Sequence, residues 1–213
     1  MKYKLVIFDM DGLMFDTEII YYRSWFDLAH KYNFEFNDKL RKELTGQNEQ
    51  TIREKLAKIL GSLAKADKLR NELNAHRLNI LRNNPKSIKK EGLGELLDFL
   101  KANKVKIALA SSNDREKIDL LLAKEKIRPY FDFIISGDEV EKSKPNPEIF
   151  LKAREKFSCK KEESLILEDS YNGYLAAKES GMDYLIIRDK SFHLSFEPDK
   201  KRDNLREVID HLK

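Results

Sequence analysis

Short, unbroken apolar runs punctuate the chain at residues 5–8, 107–110, 133–136, 165–167 and 184–187. None alternates with polar residues, so each is expected to form a strand buried on both faces, as in a parallel sheet. Between the later runs, apolar residues recur at helical spacing. Leu93, Leu96, Leu97 and Leu100 share one face, as do Ile118, Leu121 and Leu122, and Ile149, Phe150, Ala153 and Phe157 repeat the pattern. Strands alternating with helices predict an α/β fold, a doubly wound, Rossmann-like parallel sheet with helices on both sides.

Residues 16–83 break this rhythm with amphipathic helices and no strand. Tyr21, Trp25, Leu28, Ala29 and Tyr32 form one stripe, Ile52, Leu56, Ile59 and Leu60 a second, and Leu69, Leu73, Ile80 and Leu81 a third. The expectation is an all-helical domain, 16–83, inserted after the first strand of a core made from 1–15 and 84–213. Trp25 lies on an apolar stripe and reads as core.

Composition narrows the possibilities. Lys and Arg number 41 against 37 Asp and Glu, a net charge of +4 over 213 residues. The positive residues are interspersed with acidic ones, so no one-sign stripe invites nucleic acid. The Lys200-Lys201-Arg202 run between Asp199 and Asp203 reads as solvated surface. Cys159 is alone, which excludes an intramolecular disulfide and a cysteine metal cluster. His30, His76, His193 and His211 lack metal-ligand spacing. The apolar run before Asp9 is too short for a signal-peptide core, and no stretch approaches a membrane span. A cytoplasmic monomer that binds neither membrane nor nucleic acid is expected.

The candidate chemistry follows the strands. Phe8-Asp9-Met10-Asp11-Gly12 ends the first one. Residues two apart in an extended chain share a face, so the two carboxylates would lie side by side and repel unless a cation or proton intervenes. Magnesium suits such oxygen ligands. Glu168-Asp169 follows another strand, Ser111-Ser112-Asn113 a third, and Lys144 sits in a stiff Lys144-Pro145-Asn146-Pro147 loop. Taken singly, each has a plain reading as a turn, helix cap or solvated lysine. In a parallel sheet, however, sites form beyond the carboxyl ends of the strands, and neighbouring strands lie only about 4.8 Å apart. Carboxylates, hydroxyls and a lysine converging there make a phosphoryl-transfer set.

The chain resembles the haloacid dehalogenase superfamily, especially the subgroup with a small helical cap that contains β-phosphoglucomutase and sugar-phosphate phosphatases. Asp9-Met10-Asp11-Gly12 with Asp16-Thr17-Glu18 resembles the first family motif, Ser111 the second, Lys144 the third, and Glu168-Asp169-Ser170 with Asn172-Gly173 the fourth. The resemblance implies a magnesium-dependent phosphatase acting on a small phosphorylated metabolite, a sugar phosphate or nucleotide-like monoester, through an aspartyl-phosphate. Asp9 would be the nucleophile and Asp11 the acid and base. Ser111 and Lys144, with Ser112 and Asn113, would hold the phosphoryl oxygens. Asp9, Asp169 and the Asp11 carbonyl would bind Mg2+, with Glu168 in support. The inserted helices would be the cap that closes over the active site, with Tyr21, Gln47 and Glu49 inspecting the leaving group. Glu91-Gly92-Leu93 departs from the Pro-Gly often seen near the second connection.

The resemblance leaves alternatives. A β-phosphoglucomutase-type mutase would need a cap histidine and arginine where Tyr21 and Glu49 stand, and Glu49 would repel a second phosphate, although Arg23 or Arg53 could supply charge. A receiver-like phosphoacceptor module shares an acidic pair, hydroxyl and lysine but has no large helical insert.

Overall fold

The computed structural model describes residues 1–44, 49–188 and 196–213. Its sheet contains β1 (Leu5–Phe8), β2 (Lys106–Ala110), β3 (Phe133–Ile135), β4 (Ser164–Glu168), β5 (Asp183–Ile187) and β6 (Lys201–Arg202), in the order β3-β2-β1-β4-β5-β6. Every pairing is parallel. The chain moves outward one way from β1 to β3 and the other way from β4 to β6, so the switch point lies between β1 and β4. The five apolar runs lie within or across the first five strands. The sixth strand is two residues long, inside the lysine-rich run read as plain surface. It has no apolar signal because it pairs only along the edge of β5.

Among its described residues the insert contains four helices: α1 (Glu18–Lys31), α2 (Asp38–Leu44), α3 (Glu49–Leu60) and α4 (Leu63–Asn83). The core supplies α5 (Leu93–Ala102), α6 (Arg115–Lys124), α7 (Glu148–Glu155), α8 (Tyr171–Ser180) and α9 (Arg206–Leu212). Ile149, Phe150 and Ala153 of α7, with Ala176 and Ala177 of α8, pack on Leu5, Ile7, Ala108, Ile166 and Ile186 of the sheet. α5 packs on β2 and α9, burying all four of its leucines. Phe157 lies beyond the end of α7 yet packs against the same core.

The chain divides into two compact units, Met1–Asp16 with Ser87–Lys213, and Thr17–Lys86. Within the second, Trp25, Leu28, Ala29, Phe36, Leu56, Ala66, Leu69 and Leu73 form a separate core, with Trp25 stacked on Phe36 at 5.2 Å between ring centroids. One expected stripe residue, Ile59, is 44% exposed, because α3 buries only Leu56 fully. In the first unit, residues 14–16 and 88–90 run side by side. Asp16 N–H donates to the Ile88 carbonyl at 2.8 Å, and Lys90 N–H to that of Met14 at 2.8 Å. The buried Glu125 carboxylate accepts from Ser87 Oγ at 2.6 Å and Ile88 N–H at 3.1 Å. The second connection is therefore tied to the core by a side chain distant in sequence.

Candidate active site

The register of the sheet dictates the site. Phe8 lies opposite Leu109 on one side and Leu167 on the other. The next residue, Asp9, therefore emerges beside Ala110 and Glu168, and its N–H still donates to the Leu167 carbonyl at 3.0 Å. Lys144 arrives from the loop before α7. Its Nζ donates to Asp9 Oδ1 at 2.5 Å, Glu168 Oε1 at 2.6 Å and the Ala110 carbonyl at 3.1 Å. The lysine side chain is 6% exposed and that of Glu168 fully buried. Both ends of this ion pair have left water, which is tolerable only because each is paired.

Electrostatics show a shortage of positive charge. Burial, together with the negative charge of Glu168, raises the Asp9 pKa to about 7 despite the opposing lysine. Burial acts against the Lys144 ammonium, but the facing charges of Asp9 and Glu168 outweigh it and hold its pKa above the ordinary lysine value. Asp9, Glu168 and Asp169 bring carboxylate oxygens within 4.8 Å of one another. Three carboxylates against one ammonium suit a divalent cation. The backbone is shaped around the same groups. Gly12 has φ +80°, and a Cβ there would overlap the Asp169 carboxylate; a Cβ at Gly173 would overlap that of Glu168.

Glu168 is already committed at both oxygens. Oε1 faces Lys144, while Oε2 accepts from Asp169 N–H at 2.9 Å, Ser170 N–H at 3.1 Å and Ser170 Oγ at 3.0 Å, at the start of α8. Amides at a helix start are natural partners for an anion. These bonds tie Glu168 to Lys144 and to the β4–α8 turn, within the acidic cluster it forms with Asp9 and Asp169.

Asp11 is held separately. Its Oδ2 accepts from Asn113 Nδ2 at 2.7 Å and from Lys117 Nζ at 2.7 Å. Asn113 also donates to Ser111 Oγ at 2.8 Å and accepts from Lys117 at 2.6 Å. Ser111 is buried, whereas Ser112 is exposed and turns its backbone against Gly137. The three residues expected to face phosphate thus differ in surroundings, with the Asn113 amide engaged by Asp11 and Ser111. Lys117 escaped the sequence reading because lysines in amphipathic helices are ordinarily solvated. Its available signal was the i, i+4 relation to Leu121, which places it on the buried face of α6.

Among the residues chosen in the inserted unit, Tyr21 is half-buried, with the Arg77 guanidinium 4.4 Å from its ring centre. Glu49 accepts a two-pronged bond from Arg70, at 3.0 and 2.6 Å, and a third contact from Arg53 at 2.9 Å. Its negative charge is thus opposed by Arg53, one of the two arginines the sequence offered, and by Arg70. Gln47 lies outside the described residues, as does His193. Among the described residues, no helix is long and apolar enough to cross a membrane.

Comparison with known proteins identifies the family. The profile of the haloacid dehalogenase-like hydrolase family matches residues 6–187. The chain is 32% identical over 185 residues to the phosphorylated carbohydrates phosphatase of Thermotoga maritima, covering 84% of this chain and 82% of the relative. It is 29% identical over 189 residues to the β-phosphoglucomutase of Bacillus subtilis, covering 86% and 80%. The crystal structure of a Clostridium difficile β-phosphoglucomutase superposes with a TM-score of 0.76 at 25% identity, covering 97% of this chain and 93% of that one.

Proposed function

The chain belongs to the haloacid dehalogenase-like hydrolases, and on that premise we propose that it is a magnesium-dependent phosphatase that hydrolyses a small sugar-phosphate-like monoester through an aspartyl-phosphate. The observation that carries the reading is the separation of two carboxylates two residues apart. Asp9 sits in the buried cluster with Lys144, while Asp11 sits in a different set of donors. The first setting suits a nucleophile beside a cation site, and the second suits a proton carrier.

In the first half of the reaction an Asp9 carboxylate oxygen attacks phosphorus, and the bond from phosphorus to the ester oxygen breaks. Asp11 gives its proton to that departing oxygen. In the second half, water attacks the acyl phosphate and loses a proton to Asp11, and the phosphorus–Asp9 bond breaks to restore the carboxylate. Lys144 balances charge beside Asp9, and Ser111 offers a hydroxyl next to the Asp11–Asn113 pair. Magnesium bound by Asp9 and Asp169 would supply the positive charge that stabilises the transferring oxygens.

A phosphosugar mutase is the second reading, favoured by the likeness to two β-phosphoglucomutases and by the arginine pairing of Glu49, which lifts the electrostatic objection to a second phosphate. Release of inorganic phosphate from a panel of sugar phosphates, with and without magnesium, tests the main reading. Metal-dependent release is expected. Interconversion of isomers only when a sugar bisphosphate is added would favour the mutase, and no turnover of any ester with metal would remove both.

A further inference from the structure

Lys117 is a buried lysine in an unfavourable place. It lies in the first turn of α6, where the helix dipole disfavours a cation, and Asp114 caps that turn by accepting from the Lys117 N–H at 2.9 Å. A lysine can usually reach water, yet this side chain is only 10% exposed. Its Nζ lies 2.7 Å from Asp11 Oδ2 and 2.6 Å from Asn113 Oδ1, and Asn113 closes the triangle on the same Asp11 oxygen. Two donors on one oxygen fix the orientation of a carboxylate whose side chain could otherwise swing.

The pairing suits one moment in the cycle. An ammonium holds a carboxylate rather than a carboxylic acid, and Asp11 is ionised after it has protonated the departing oxygen. We propose that Lys117, with Asn113, is a positioning residue for the second half of the reaction. It holds ionised Asp11 in the orientation that receives the proton of the attacking water as the phosphorus–Asp9 bond breaks. This inference rests on the assignment of Asp11 as acid and base.

The test uses p-nitrophenyl phosphate, whose phenolate leaves without needing a proton, so that phosphorylation of Asp9 is spared and only hydrolysis of the acyl phosphate depends on Asp11. Acid-quenched reactions at saturating substrate and magnesium report the fraction of enzyme that carries a phosphoryl group; kcat/KM reports the first half. In Lys117→Met the phosphorylated fraction should rise several-fold, or to near saturation, while kcat/KM stays within about twofold. Lys117→Arg should return it part of the way. A partly unfolded variant would lower the fraction, so loss of structure cannot imitate the result. An unchanged or lower fraction in Lys117→Met, when Asp11→Asn raises it, overturns the positioning role and leaves the catalytic reading standing. A fraction that Asp11→Asn also fails to raise overturns the acid and base assignment itself.

Discussion

Lys144 shows how a single side chain can be set by charge alone. It is buried between Asp9 and Glu168, and either carboxylate without it would face the other across a poorly solvated gap. Lys144→Ala should therefore lower kcat/KM by roughly a hundredfold or more. Lys144→Arg should restore little, since a planar guanidinium does not fit a site shaped for a compact ammonium. Near-normal kinetics for Lys144→Ala would remove Lys144 from the reaction, and for Lys144→Arg would show that any cation serves there. The strand-end residues could be singled out from sequence because acidic and hydroxyl groups directly follow apolar runs. For Lys117 the spacing to Leu121 marks a buried helical face, but only the fold reveals that Asp11 lies against it. The Glu49 surroundings are hidden from sequence for a related reason. Its partner Arg70 lies 21 positions away, beyond the reach of local pattern.

At the scale of elements, the junction of β4 and α8 is the tightest feature near the site. Glu168 binds amides at the start of α8, and Gly173 in the first turn leaves space that its carboxylate fills. Gly173→Ala should crowd this carboxylate and lower stability by about 1–3 kcal/mol, the usual cost of overpacking. Thermal unfolding would read it, and an unchanged midpoint would mean that the helix shifts freely. Five strands were legible because a buried parallel strand has no polar alternation to disguise it. β6 and α2 were not. Two residues of strand and seven of helix carry too little periodicity to stand out. The second connection has Glu91 where a proline often precedes the glycine, and Glu125 anchors it through Ser87 and Ile88, a long-range contact invisible to local pattern.

Across the molecule, distant segments are joined by charge as well as by the core. Asp183 on β5 accepts from Lys2, Tyr3 and Lys200. Burial acts to raise its pKa, but those hydrogen bonds prevail and hold it at about 2. A depressed carboxylate pKa stabilises the fold fully above the unfolded value of about 3.9, and that contribution disappears as pH falls towards about 2. Asp183→Asn should melt a few degrees below the parent at neutral pH, with the gap narrowing below about pH 4. A gap that is constant with pH would mean that packing, not charge, is responsible. Magnesium should raise the melting temperature of the parent through binding to the native state, and this rise should vanish in Asp169→Asn. A rise of equal size in both would place the ion elsewhere.

All of this chemistry requires one covalent event, transfer of the phosphoryl group to Asp9. The direct measurement is mass spectrometry of the peptide containing Asp9, taken from acid-quenched reactions with a turned-over phosphate ester. A phosphoryl group should be found on Asp9 when magnesium is present, and be lost without the metal or in Asp9→Asn. Phosphate release at full rate from Asp9→Asn, with deamidation excluded, would contradict the account.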